Sequence, residues 1–328
     1  MLFSTIAEIQ TLLPIGAGND FNKLKPHIQN AENKFLKPLL GTGMYDELQE
    51  FYNDVYPEYP AEPSEVQEAV MELLKKVQHA TIHLAYFLGF DFMNVTISSA
   101  GFQRVESDKT KGLFHYQENN LKQYFSDSGY NGLDDVLVYL EENIEHFGEF
   151  AAEPQYLTLK KSFLPTVKVV EEIPFSIQYS RLTLLALQPS VAFVEDTTIR
   201  TTLGDTLYLA LKEEMASDNP NKDYTALIPY IRKPLVYLAS ALLMQETGAT
   251  LGDKGLYFEK IDATLQNTRI KSPAEAERIN AMIARNRMMG NAYLDQLKSH
   301  LAANFPETYT GPTARFSRDN NGKKTFWT

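Results

Sequence analysis

His79 and His83 stand four residues apart, the spacing that places two imidazoles on one helix face where neutral ring nitrogens can grip a divalent cation. Glu72 and Lys76 occupy the preceding turns, which fits a packed or solvated helix flank, and no third ligand of recognisable spacing completes a coordination shell. Asp134 with Asp135 and Glu141 with Glu142 are paired carboxylates on one stretch of helical pattern. Such pairs form a wet helix face unless a desolvated pocket raises one of them into general-acid service. Gly16-Ala-Gly18 lacks the rest of a dinucleotide fingerprint and follows no strand pattern, so it reads as a loop. A phosphate-cradling GxxxxGK[ST], an HExxH and a nucleophile elbow are all missing. The expectation is therefore no catalytic residue, no cofactor-binding residue and no metal ligand. A metal-dependent enzyme built on His79 and His83 is the weakest of the functional readings.

The remaining chemistry lies at the C-terminus. After Pro312 the chain is polar and without period, and Arg315, Arg318, Lys323 and Lys324 interleave with Phe316, Phe326 and Trp327. Charge with stacking suits single-stranded nucleic acid, and the same residue types are favoured at protein interfaces. Four basic residues are few for DNA, so protein docking is the preferred reading. A segment this polar cannot bury enough surface alone and is expected to order on a partner.

Elements must position all of this, and composition bounds them. The chain has 328 residues, 44% hydrophobic and 22% charged, enough for two globular domains. It has no cysteine, which removes disulfides and thiol chemistry. MLFSTIAEIQTLLPIG lacks a basic n-region and carries Glu8, so an amphipathic first helix is predicted rather than a signal peptide. No apolar run approaches the roughly 18 residues of a membrane span, and no membrane association is expected. The net charge of −11 is uneven: residues 1–150 carry 10 Lys+Arg against 23 Asp+Glu, while residues 311–328 carry 4 against 1. An acidic first half repels phosphate backbones.

LKPHIQNAENKFLKPLLGTGMYDEL, from Leu24, is echoed without a gap by LQPSVAFVEDTTIRTTLGDTLYLAL, from Leu187. Leu24/Leu187, Pro26/Pro189, Glu32/Glu195, Leu40/Leu203, Gly41/Gly204, Tyr45/Tyr208 and Leu48/Leu211 are identical. Average composition gives about one or two identities by chance. Downstream, Val77/Ile231, Leu84/Leu238 and Ala85/Ala239 correspond, then Gly101/Gly255, and finally Leu133, Asp134, Val136, Leu140 and Asn143 match Leu294, Asp295, Leu297, Leu301 and Asn304. The chain is read as two copies of one unit, 1–150 and 151–310, with a docking tail at 311–328.

Within each copy, apolar residues at helical spacing predict a helix closed by Gly41 or Gly204, with Thr42 or Asp205 capping the next. Ser64 to Gln67 is a capping box opening a long helix. Its counterpart from Tyr224 to Thr247 contains Pro229 and Pro234 and is predicted broken or kinked. Alternation around Ile97, Gly101 and Phe102, and around Gly255 and Leu256, predicts a small β-hairpin in each copy, marginal without a neighbour and hence a partner-interface candidate. Ser272-Pro-Ala-Glu275 announces a closing helix to about Ala303. The fold class is mainly α, a tandem helical-bundle duplication with one hairpin per unit and an extended tail.

FLKPLLGTGMYDEL, HLAYFLGFDFMNVTISSAGFQRVESD and GYNGLDDVLVYLEEN together resemble an uncharacterised protein family of Bacteroidota genomes and their phages. More distantly, the order of elements resembles the helical head-to-tail adaptor proteins of phages. That resemblance implies a structural virion protein of the neck, made in the host cytoplasm, forming a homo-oligomeric ring against portal and tail components with DNA passing its lumen. The usual adaptor ring has twelve chains, and two units per chain leave twelve or fewer open. The competing expectation is a cytoplasmic helical scaffold or binding module that uses a groove between the two repeats.

Overall fold

The computed structural model describes residues 1–14, 20–93, 95–98, 101–104, 113–175, 180–215, 222–247, 250–252, 255–257 and 273–305. It divides into two compact units. The first comprises Met1–Thr158 with Ser180–Thr183, and the second Leu159–Tyr179 with Leu184 onward. Both are mainly helical.

In chain order the first half contains α1 (Ile6–Leu12), α2 (Phe21–Ala31), α3 (Lys37–Leu40), α4 (Thr42–Glu50), α5 (Glu65–Met93), β1 (Val95–Ser98), β2 (Gly101–Arg104), α6 (His115–Glu142) and α7 (Gly148–Ala152). The second half contains α8 (Pro154–Lys160), α9 (Val167–Glu171), α10 (Arg181–Val194), α11 (Arg200–Leu203), α12 (Asp205–Met215), α13 (Lys222–Thr247), β3 (Thr250–Gly252), β4 (Gly255–Tyr257) and α14 (Pro273–Asn304). The strands pair antiparallel in two ladders, Ile97 opposite Phe102 and Leu251 opposite Leu256.

Local chemistry explains the helix ends. Ser64 and Gln67 satisfy each other's backbone amides at the start of α5, at 2.9 and 3.2 Å. Thr5 caps α1 and closes a box with Glu8. Thr42 and Asp205 do not cap the helices they begin. Gly41 and Gly204 take that place, at φ +80° and +79°, a conformation a side chain resists, so one glycine ends one helix and starts the next. Asp205 instead accepts from Arg200 Nε at 2.6 Å.

The prolines of α13 do not break it, which corrects that half of the expectation of a broken or kinked helix. Pro229 and Pro234 lie inside a helix that runs unbroken over 26 residues. Leu227, Ile231, Leu235, Val236 and Ala239 are buried there, and this packing outweighs the two lost amide donors. Ala226–Glu246 is long and apolar enough to cross a membrane by length and composition alone, yet 67% of its most apolar window is buried within the protein, as in a core helix.

Each core is built alike. α5 packs along α6 in the first unit, and α13 along α14 in the second. Leu24, Ile28, Leu36, Leu40 and Leu48 are buried in one, and Leu187, Val191, Ile199, Leu203 and Leu211 in the other. The long helices approach closely at Gly129, where a Cβ would stand 2.6 Å from Leu84 Cγ, and at Gly290, where it would stand 2.7 Å from Leu238 Cγ.

Candidate functional site

Two buried carboxylates organise the units. α2 does not simply run into α3: the Lys37 amide donates to the Glu32 carbonyl five residues back, a single π turn over Glu32–Leu36. The same turn recurs over Glu195–Ile199, where the Arg200 amide donates to the Glu195 carbonyl. A π turn inserts an extra residue and rotates the side chains that follow, a device frequent at functional positions. Glu32 and Glu195 open these turns and are 3% and 6% exposed.

In the first unit, Leu2 N–H donates to Glu32 Oε1 at 2.7 Å and the Tyr45 hydroxyl donates to Oε2 at 3.1 Å. The amino group of Met1 lies 3.9 Å away. In the second unit, Phe163 N–H and the Ser162 hydroxyl donate to Glu195 Oε1 at 2.9 and 3.1 Å, and Lys212 Nζ donates to Oε2 at 2.7 Å. Each carboxylate therefore ties the chain segment ahead of the unit's first short helix to the π turn. Thr5 and Thr166 cap those short helices with nearly the same backbone angles. Leu2 and Phe3 in the first unit correspond to Phe163 and Leu164 in the second, each buried in its own place as an anchor.

Burial and the nearby Glu32 charge push the Tyr45 hydroxyl well above the ordinary phenol range, so it stays a donor. Burial holds the Lys212 ammonium below the usual lysine range, although the Glu195 carboxylate opposes the shift. Lys212 also lies 4.0 Å over the Phe163 ring and donates to the Lys161 carbonyl. Lys37 over Tyr45 and Arg200 over Tyr208 form a second matched pair of cation and ring. With their oxygens occupied by donors of their own unit, both carboxylates act as structural acceptors.

The sequence singled out other acids, and they divide. Of each adjacent pair, Asp135 and Glu142 face solvent, whereas Asp134 and Glu141 turn inward, against the expectation of a wet face. Asp134 accepts from Leu182 N–H at 2.7 Å, and Glu141 pairs with Arg181, all within the first unit as delimited above. Burial raises the Asp134 carboxyl, with the bonds from Leu182, Ser180 and Arg181 pulling the other way. Burial likewise raises Glu141, more than Arg181 lowers it. Among the described residues, Arg181 Nε and Nη1 are buried and find no hydrogen-bond partner, so the pair is incompletely compensated there.

His79 and His83 do come together, with ring centroids 4.3 Å apart. His83 is buried under Tyr124 and Phe125, and its Nδ1 lies 2.7 Å from the His79 carbonyl oxygen. Burial lowers both imidazoles below their ordinary value, which favours neutral rings. No group of three or more metal-ligating side chains occurs among the described residues.

Ile97, Gly101, Phe102, Gly255 and Leu256 lie in the strand ladders, but their side chains fall outside the described residues. Arg315, Phe316, Arg318, Lys323, Lys324, Phe326 and Trp327 also lie outside them. Glu32 and Glu195, the centre of each unit, were given no role from sequence. The available signal was that Glu and Tyr are the ionisable types among the seven identities of the echo.

A family model described as a family of unknown function, DUF6712, matches residues 36–158 and 199–317, two repeated segments whose starts are separated by the 163 residues that also separate Glu32 from Glu195. The chain belongs to this family. The match spans α3 to α8 in one copy and reaches from the end of the second π turn past α14 in the other. No curated protein and no solved structure matches the chain.

Proposed function

We propose that the chain is a structural virion protein, a head-to-tail connector subunit that assembles as a non-enzymatic homo-oligomeric ring between portal and tail components. The observation that carries this reading is the duplicated unit whose buried acids are spent on internal bonds, Glu32 and Glu195 alike. The resemblance in element order to phage adaptors supports it. The acidic first 150 residues suit a wall past which DNA slides without sticking. Hairpins around Ile97 to Phe102 and around Gly255 and Leu256, with the tail from Arg315 to Trp327, are the contacts this reading assigns to neighbouring subunits and neck proteins. Ring number, twelve or fewer, follows from how two units per chain close the circle. The place of action is the virion neck, after assembly in the host cytoplasm.

A mass measurement of the purified chain with and without portal protein tests this. The expected result is a discrete ring species that binds portal. A chain that stays monomeric and binds no neck component overturns it. A second reading, a helical scaffold or binding module, is favoured by the exposed rings of Phe114, Tyr116 and Tyr124, and a single co-purifying cellular partner in place of a ring would select it.

A further inference from the structure

The two units have cores built alike and differ sharply on one surface. At the end of α5 and along the first half of α6, Phe92, Phe114, Tyr116, Tyr124 and Tyr130 are exposed, Phe114 by 71%. Phe114 stacks on Tyr116, and Tyr124 meets Phe125, which stacks on Tyr86. The Leu84/Leu238 and Leu133/Leu294 registers, fixed physically by the Gly129 and Gly290 notches, carry these positions onto the second unit. There Phe92 becomes Glu246, Tyr116 becomes Glu277, Tyr124 becomes Arg285 and Tyr130 becomes Asn291, all exposed. At these four positions one copy presents rings and the other presents polar side chains. Core packing does not require the aromatics, since the second copy packs without them. Among the described residues this cluster of exposed rings belongs to the first copy, and such a cluster marks a contact surface.

We infer that this aromatic end of the first unit receives the C-terminal segment 311–328 of a second copy of the chain. Charge selects that occupant. The first 150 residues carry a net −13, from 10 basic and 23 acidic residues, and 311–328 carries a net +3, from 4 and 1. Opposite fields steer the encounter. The side chains match in kind as well. Arg315 and Arg318 suit the open faces of Tyr116 and Tyr124, and Phe316, Phe326 and Trp327 supply rings for a cluster that already stacks on itself. Eighteen residues span up to about 60 Å when extended, enough to reach between subunits. The inference rests on the homo-oligomeric part of the proposed function.

Trp327 is the single tryptophan of the chain, so its emission reports the segment directly. With the full chain, emission should move to shorter wavelength and acrylamide quenching should fall several-fold as concentration carries the protein into its oligomer. The double variant Tyr116→Glu, Tyr124→Arg installs the second unit's own residues at exposed positions. It should keep its far-UV helix signal and melting temperature while Trp327 remains quenchable at every concentration. A peptide of residues 311–328 carrying Trp327→Phe, added to the wild-type oligomer, should restore quenching by competition. Salt should weaken protection, because part of the attraction is screened. Equal quenching at all concentrations, protection that survives in the double variant, or protection independent of dilution overturns the proposal. The two readings fail separately: a portal-binding ring with exposed Trp327 ends this inference alone, whereas a protected oligomer that ignores portal ends the connector reading alone.

Discussion

The same carboxylate is compensated differently in the two units. Glu32 is met by neutral donors, Leu2 N–H and the Tyr45 hydroxyl, with the Met1 amino group further off. Glu195 is met by a backbone amide, a serine hydroxyl and a half-buried ammonium, that of Lys212. Geometry at the π turn survived duplication while the chemistry feeding it was rebuilt. The lesson is that both copies keep a buried acceptor at that place while its donors differ, provided every oxygen is served.

The largest test of that contrast is the pair Glu32→Gln and Glu195→Gln. The amide at 195 leaves Lys212 buried without its counter-charge, which costs about 3–5 kcal/mol. The amide at 32 retains one acceptor and costs about 1–2 kcal/mol. Hydrogen exchange resolved by peptide should show the second unit opening far more than the first in the respective variants, and Lys212→Met should recover part of the Glu195→Gln loss. Equal losses would show that charge compensation plays no part. Next come Gly41→Ala and Gly204→Ala. Both force a side chain into a left-handed backbone at about 1–2 kcal/mol. Gly41→Ala should be the worse of the two, because its Cβ would also displace the Glu153 carboxylate, whereas Gly204 has open space. Denaturant midpoints rank them. Tyr45→Phe removes one donor from Glu32 and should cost about 1 kcal/mol, with no effect on the second unit.

The smallest effect is a pH slope, and its sign separates the units. Asp134 and Glu141 are raised in the folded first unit, so the folded state holds protons that the unfolded chain has released. Their contribution is present below the ordinary carboxylate range and is lost as pH climbs through the raised values. Lys212 is lowered, so the folded second unit has shed a proton the unfolded chain still holds. Its contribution grows as pH rises from the lowered value toward the ordinary lysine range. Asp134→Asn, which keeps an acceptor for Leu182 N–H, should flatten the first slope and leave the second untouched in melts followed across pH.

Much of this was legible in the residues. The echo beginning at Leu24 and Leu187 contains Gly41/Gly204 and Tyr45/Tyr208, which proved to be the helix junction and the ring beside the buried acid. The capping box at Ser64 was plain because its logic is local. What was not legible depended on tertiary context. Pro229 and Pro234 argue locally for a break, and only the buried face of α13 overrides them. Asp134 and Asp135 are chemically identical in sequence, and which one turns inward is set by Ser180–Thr183, far away along the chain. The anchors Leu2 and Phe163 went unpaired because the short segment around them lies two residues out of step with the main echo, at 161 rather than 163. The aromatic end of α6 was invisible because tyrosines at irregular spacing carry no exposure label.

The notches at Gly129 and Gly290 have a mechanical corollary. A leucine seated in a glycine gap, with Leu84 Cγ only 2.6 Å from where a Cβ would stand, works like a dowel between two beams. Beams pinned this way cannot creep past one another in half-turn steps, since any slip would drive a side chain into backbone. Each helical pair is thus a girder of set length, and pressure applied at one end arrives at the other without being lost to sliding.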